Sequence, residues 1–305
     1  MRRRMPRSFP ILAETPSVMR TTGWADYELL DSGRGRKLER YGPYRVARPE
    51  PQCLWNPRLD EAAWAAADGV FDPADEDDAG RWRFSGPVEQ TWPMAWGDVR
   101  FHGRFTPFRH LGFFPEQAAN WTWIDAATRQ AGEGARVLNL FGYTGVASLV
   151  CAAAGAAVTH VDASKRAVGW ARENAALSGL ADRPVRWICE DARRYVQREA
   201  RRGSRYEGII LDPPKYGRGP AGEVWRLYED LPDLIRLCAE LLSDKASFLI
   251  ANVYAERISG LAMGSLLREA MEGRSGRIDW GELALVEQSG ERAVGLSFFA
   301  RWTAA

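Results

Sequence analysis

From Arg136 to Val253 short apolar runs alternate with helix-compatible stretches, and this alternation constrains the fold more than any other feature of the chain. The runs are Arg136–Phe141, Ala157–Val161, Val185–Cys189, Tyr206–Leu211 and Ser247–Val253. Each is of strand length and bounded by turn residues. Between and after them, Thr144–Ala154, Lys165–Leu180, Arg193–Arg202, Glu223–Leu242 and Ser259–Met271 read as helices, with Gly155 and Gly179 at or near two of the ends. Repeated β–α units predict a parallel sheet with helices on both faces. Two closing strands, near Ile278–Glu287 and Ala293–Trp302, are joined by a short Gly-containing turn and predict an antiparallel hairpin. The expectation is an α/β fold with a mostly parallel seven-stranded sheet.

Ahead of this pattern the composition changes. Residues 21–105 are rich in Trp, Pro, Gly and Arg, and carry short alternating pieces such as Tyr27–Leu30, Tyr44–Ala47, Trp82–Phe84 and Val99–Phe101. Such pieces, separated by Gly and Pro, predict a smaller β-rich domain. Residues 1–20, with basic Met1–Arg7, are expected as a flexible arm, and Asp75–Asp78 as a solvated loop. The α/β domain is expected over 106–305, opened by a helix from Pro115 to about Gln130.

Composition narrows the classes. The formal net charge is +1, so no global field draws the chain to nucleic acid. No apolar stretch is long enough to span a bilayer, and no apolar run follows the basic start as a secretory signal requires. Cys53, Cys151, Cys189 and Cys238 are far apart and form no C-x-x-C pair, which predicts no zinc site and suits the cytoplasm.

In an open α/β sheet, ligands bind outside the carboxyl ends of the strands. After the first run comes Asn139-Leu-Phe-Gly-Tyr-Thr-Gly145, where Gly142 and Gly145 allow a tight turn and close backbone approach. Thr144 is expected to cap the next helix. After the second comes Asp162, placed to accept hydrogen bonds from ribose hydroxyls; Ser164 can cap the helix instead and leave Asp162 to a ligand. After the third come Glu190, Asp191 and Ala192, where a carboxylate either accepts from a ligand amino group or caps the Arg-rich helix. After the fourth comes Asp212-Pro-Pro-Lys215, a turn stiffened by two prolines and suited to placing a substrate. A dinucleotide fingerprint needs G-x-G-x-x-G, but positions 140 and 148 are Leu140 and Ser148.

These residues together resemble the class I S-adenosylmethionine methyltransferases, which implies a Rossmann-like sheet. The likeness is nearest to the group containing the large-subunit ribosomal RNA cytosine-C5 methyltransferases and their uncharacterised relatives. Gly112-Phe-Phe-Pro-Glu-Gln117 is similar to the motif that precedes the cofactor fold in that group. The resemblance covers roughly residues 105–305. It implies that Phe141, Gly142 and Gly145 wrap the methionine part of the cofactor, that Asp162 holds the ribose and that Asp191 and Ala192 meet the adenine. It also implies Gln117 near the methionine end. One departure stands out: the C5 enzymes carry a nucleophilic Cys after the fifth strand, where this chain reads Ala251-Asn-Val-Tyr-Ala-Glu256. C5 of cytosine needs a thiolate adduct, so that chemistry is not expected here.

For a nitrogen or oxygen acceptor, Asp212 and the Pro213 carbonyl are the groups placed to orient it, with Lys215 pairing either a phosphate or Asp212. Tyr216, Asn252 and Tyr254 are further candidates to face it. In the front domain Arg34, Arg36, Lys37, Arg40, Arg45 and Arg48 lie among Tyr41, Tyr44 and Trp55. They form either an RNA-binding face, with guanidinium groups on phosphates and rings on bases, or a solvated face over an aromatic core. RNA, ribosomal RNA above all, is the expected acceptor; the alternatives are a small molecule or protein, or a binding module without catalysis.

Overall fold

The computed structural model describes residues 8–74, 79–254 and 257–305. The basic start Met1–Arg7, the acidic loop Asp75–Asp78 and the pair Ala255–Glu256 lie outside the described residues. The chain forms two compact units, one of residues 1–19, 121–282 and 297–305, the other of 20–120 and 283–296.

One mixed sheet carries the first unit, and residues 20–21, 283–286 and 293–296 at the ends of three of its strands belong to the second. The sheet's strands in chain order are β1 (Ile11–Leu12), β2 (Ser17–Thr21), β3 (Arg136–Leu140), β4 (Ala157–Asp162), β5 (Val185–Cys189), β6 (Gly208–Leu211), β7 (Phe248–Tyr254), β8 (Arg277–Val286) and β9 (Ala293–Thr303). They lie in the order β1-β8-β9-β7-β6-β3-β4-β5, with β2 also paired to β8. The helices α1 (Val146–Ala153), α2 (Lys165–Leu177), α3 (Ala192–Arg201), α4 (Leu227–Leu241) and α5 (Gly260–Ala270) connect or follow strands of the parallel part. β3 pairs in parallel with both β4 and β6, and β9 runs antiparallel to β7 from Phe248↔Thr303 to Tyr254↔Ser297. The mostly parallel sheet and its closing antiparallel pair are as the periodicity predicts.

Burial explains why the central strands read as continuous apolar runs. All four residues of β6 are buried. Leu138, Leu140, Ile209, Leu211 and Leu249 share one core with Tyr195 and Val196 of α3 and Leu231, Leu234 and Ile235 of α4. Strands covered on both faces have no polar side to alternate with. Each such Leu or Ile contributes roughly 1.5–3 kcal/mol by leaving water.

Two expectations are corrected. The sheet has nine strands, not seven, because residues 8–19 are not an arm. Ile11 and Ala13 donate their N–H groups to Gly276 O (2.9 Å) and Ile278 O (2.8 Å), and Trp280 Nε1 donates to Ala13 O (2.8 Å). A Cβ on Gly281 would fall 1.8 Å from Ser17 O, so the glycine permits the approach of this segment. A two-residue strand carries no periodicity to read. The second correction concerns Glu223–Arg226, which is not the start of a helix. Val224–Arg226 pairs antiparallel with Tyr216–Arg218, and α4 begins only at Leu227. Here the bend at Gly219–Gly222 and the burial of Trp225 override helix propensity.

The chain order around the sheet places a switch point. From β3 it proceeds to β4 and β5 on one side, then returns to β6 and β7 on the other. The segments that leave β3 and β6 therefore part at their carboxyl ends, where α/β sheets bind ligands.

The second unit is β-rich. Tyr27–Gly33, Arg36–Tyr41, Tyr44–Pro49, Gly69–Pro73 and Gly80–Phe84 form one sheet, and Thr91–Trp96 pairs with Val99–Arg104. Its buried centre is unusually polar. Glu39 accepts from Arg48 through Nε (2.7 Å) and Nη2 (2.8 Å) and from Tyr27 Oη (2.8 Å), while Lys37 lies 3.5 Å from Glu50.

Candidate active site

The loop leaving β3 is shaped by its backbone. Phe141 and Tyr143 sit at φ +56° and +48°, and Gly145 at +84°. Left-handed conformations at non-glycine residues cost on the order of 1–3 kcal/mol each and gather at ligand sites. Gly142 serves another need: a Cβ there would lie 2.5 Å from the His160 ring. Gly142 N donates to Val161 O (3.0 Å), tying the loop to the neighbouring strand.

Thr144 is not the cap of α1, as the sequence suggested. Gly145 occupies that position with no side-chain cap, and Thr144 is buried, its carbonyl accepting from Asn174 Nδ2 (2.9 Å). Asn139 is likewise buried and donates through Nδ2 to Ser148 Oγ (2.8 Å), which lies 3.0 Å from His160 Nδ1. Burial pushes His160 down to about 3, so the ring is neutral. The Ser148 hydroxyl thus joins Asn139 to His160 through two hydrogen bonds. This network braces the loop from behind. Sequence reading missed Ser148, His160 and Asn174 because each sits in an ordinary amphipathic or apolar element.

Asp162 closes the loop from the next strand. Its two oxygens accept from Tyr143 N (2.8 Å) and Ser164 N (2.8 Å). Ser164, not Asp162, caps α2 by accepting from Ala167 N (3.2 Å), as anticipated. Burial raises the Asp162 carboxyl above its usual range, and the two amide bonds oppose that rise. Each carboxylate oxygen retains acceptor capacity for a hydroxyl.

At the end of β5, Asp191 caps α3 by accepting from Arg194 N (2.9 Å), which uses one of its oxygens. Ala192 is buried beside it. Glu190 is engaged by Arg198 (Nη1 to Oε2, 2.6 Å). At the end of β6, Asp212 accepts from Asn252 Nδ2 (2.8 Å), and burial pushes its carboxyl up to about 6 against that bond. The register Leu211↔Ala251 sets these two residues side by side at the switch point. Asn252 is buried and its Oδ1 meets no hydrogen-bond partner among the described residues. Pro213 is buried, Pro214 and Lys215 exposed, and Trp225 Nε1 donates to Pro214 O (2.7 Å). Trp225 also packs on Phe141, ring centroids 5.0 Å apart, which couples the two loops that flank the switch point. Gln117 lies in the other unit, in the turn Pro115–Gln117, with its Oε1 accepting from Asn120 Nδ2 (2.8 Å).

A tight loop with left-handed backbone at Phe141 and Tyr143, closed by a strand-end carboxylate that keeps spare acceptors, fits a nucleoside carrying an amino-acid tail. Among the described residues no cluster of His, Cys, Asp or Glu is placed to hold a metal ion. A family model of S-adenosylmethionine-dependent methyltransferases matches residues 52–270. The chain belongs to this family. It is 49% identical to a SAM-dependent methyltransferase from Agrobacterium tumefaciens, covering 97% of this chain and 96% of that one, with a TM-score of 0.93. A methyltransferase fold crystallised with SAH gives a TM-score of 0.72 at 18% identity, over 92% of this chain and 76% of that one, a likeness of fold. Ribosomal RNA large subunit methyltransferase K/L of Syntrophotalea carbinolica is 36% identical over 158 residues, 51% of this chain. The methyltransferase spans 21% of the length of that relative. No helix among its described residues is long and apolar enough to cross a membrane.

Assigning Asp162 to the ribose yields a direct expectation. Asp162→Ala removes charge-assisted bonds and the tie to Tyr143, and should weaken S-adenosylmethionine binding by about 10- to 100-fold in calorimetry. Unchanged affinity would remove the assignment.

Proposed function

We propose that this methyltransferase acts on a nitrogen or oxygen of RNA, ribosomal RNA foremost, and that Asp212 orients the acceptor and takes its proton. The observation that carries the chemistry is the half-buried Asp212 carboxylate, held by Asn252 and followed by two prolines. Bound S-adenosylmethionine supplies an electrophilic methyl group on a sulfonium. Asp212 accepts the N–H or O–H of the acceptor, which aims the lone pair at that methyl, and it receives the proton as the new bond forms. The Pro213 carbonyl and Asn252 Oδ1 are further acceptors for a second hydrogen of an amine. The similarity to ribosomal RNA large subunit methyltransferase K/L supports RNA as the acceptor class.

Cytosine C5 is not part of the proposal. Burial pushes the Cys151 thiol up to about 12 and the Cys238 thiol higher, and Cys53 is also buried. Cys189 is exposed, but it ends β5, with Sγ 3.6 Å from Ala163 O. Cys151, Cys189 and Cys238 lie on α1, β5 and α4, none of them on the loop that carries Asp212 or on β7 beside it.

A second reading, a small-molecule or protein acceptor, is favoured by what became of the front basic cluster. Lys37 and Arg48 are buried on carboxylates, Tyr41 is buried, and Arg40 is engaged by Glu28 and by Ala25 O. Tyr44 packs on Trp92 and Phe105. Only Arg34, Arg36 and Arg45 of that cluster remain exposed. Incubation with methyl-labelled S-adenosylmethionine and RNA from a strain lacking the protein, then nucleoside digestion, decides between the readings. The expected product is an N- or O-methylated nucleoside. Label confined to protein or small molecules supports the second reading, and a C5-methylated pyrimidine overturns the chemistry.

A further inference from the structure

A hairpin of Tyr216–Arg218 and Val224–Arg226 follows the acceptor loop. Its register is Tyr216↔Arg226, Gly217↔Trp225 and Arg218↔Val224. Side chains alternate across a strand pair, so the hairpin has two unlike faces. The inner face is Gly217 and Trp225, with the indole buried on Phe141 and bonded to Pro214 O. The outer face is Tyr216, Arg218, Val224 and Arg226. Tyr216 is 50% exposed, and Val224 and Arg218 are exposed as well.

The hairpin is held in place from several sides. Arg194 pairs with Glu223, Gly219 N donates to Glu223 O (2.8 Å), Leu227 N donates to Lys215 O (3.0 Å) and Arg226 N donates to Asp230 Oδ2 (2.7 Å). Between Lys215 and Tyr228 the chain carries three cations and one carboxylate, Glu223, which is the one that Arg194 engages. Arg226 lies 3.3 Å from Glu229, but both side chains are more than half exposed and such surface pairs exchange readily with other anions. A fixed platform that offers an aromatic ring between two guanidinium groups, one turn from the acceptor carboxylate, suits a particular partner. Rings stack on unpaired bases, whatever their sequence, and guanidinium groups hold the flanking phosphates.

We infer that the outer face of the Tyr216–Arg226 hairpin is the contact surface for a single-stranded RNA segment next to the methylated nucleotide, with Tyr216 stacking on a base and Arg218 and Arg226 on phosphates. This rests on the RNA reading proposed above.

The test uses the full chain and a labelled mixed-sequence single-stranded 12-mer RNA, with fluorescence anisotropy at several salt concentrations. Tyr216→Ala should weaken binding about tenfold and Tyr216→Phe should leave it nearly unchanged, as stacking without a hydroxyl requires. Arg218→Gln with Arg226→Gln should flatten the slope of log Kd against log salt by about 1.4, from two phosphate contacts on a single strand. S-adenosylmethionine affinity and Tm should hold in all variants, because these side chains face solvent. If wild-type protein binds the RNA with a salt-dependent Kd and the variants bind equally well, the hairpin assignment is overturned while the RNA reading stands. If wild-type protein does not bind RNA, both fall. Tighter binding to the corresponding duplex than to the single strand would also overturn the stacking role.

Discussion

Asp212→Asn is expected to slow methyl transfer by about a hundred- to ten-thousand-fold, the range spanned by a positioned proton acceptor. The amide keeps the size of the side chain and its place beside Asn252 but cannot take a proton. The effect should fall on kcat, while the S-adenosylmethionine Kd stays within about tenfold of wild type. A loss confined to cofactor binding would reassign Asp212 to the cofactor. Wild-type activity should also depend on pH in a specific way. The carboxyl sits at about 6 in the folded protein because burial disfavours its charge. It acts as an acceptor only when ionised, so the rate should rise with pH through about 6 and level off above. In Asp212→Asn that limb should vanish from whatever activity remains. A wild-type profile flat from pH 5 to 8 would count against a proton-accepting role.

Glu39→Ala is expected to be the most destabilising change in the β-rich unit. Burial alone would raise this carboxyl, but the charges of Arg48 and Lys37, with hydrogen bonds from Arg48 and Tyr27, pull it from its ordinary 4.5 to about 2. A depressed carboxyl pKa stabilises the fold above the unfolded value and loses that contribution as pH falls through the folded one. The stability should therefore be fully present above pH 4.5 and drain away between 4.5 and 2. Removing the carboxylate costs about 3–5 kcal/mol, because Arg48 and Lys37 are left buried with fewer partners. Thermal melts at pH 7 should show Tm lower by on the order of 10 °C, taking about 2–4 °C per kcal/mol for a chain of this class. Glu39→Gln, which keeps the shape, should lose less. A melt unchanged by Glu39→Ala would mean that Glu50 takes over both cations.

Much of the methyltransferase unit is legible in the residues because its signals are local. Strands covered on both faces must be apolar throughout, so β3 through β7 stand out without any knowledge of their neighbours. Carboxylates and glycines at strand ends are conspicuous because a parallel sheet puts all its ends on one side. Asp162 with Ser164 is the clearest case: two capping residues follow one strand, and the structure gives the cap to Ser164. Where local signals compete, the reading fails. Thr144 looked like a cap, yet packing draws it inward and leaves Gly145 at the helix start. Glu223–Arg226 looked helical, yet the burial of Trp225 against Phe141 turns it into a strand. Ile11–Leu12 gave no signal at all, since two residues cannot show a period.

The sequence by itself determined the order of the five parallel strands and the helices that follow them, the glycine loop and the three strand-end aspartates, because those follow from the chemistry of neighbouring residues. Tertiary structure decided what each charged group is spent on. Lys37 and Arg48 are cations like Arg218 and Arg226, but cross-strand pairing with Glu39 and Glu50 buries the first two, and the hairpin register turns the second two to solvent. It also raised Asp212 toward neutrality and set Asn252 at its side. Burial and register join residues on different strands, and that is why no local pattern announces them.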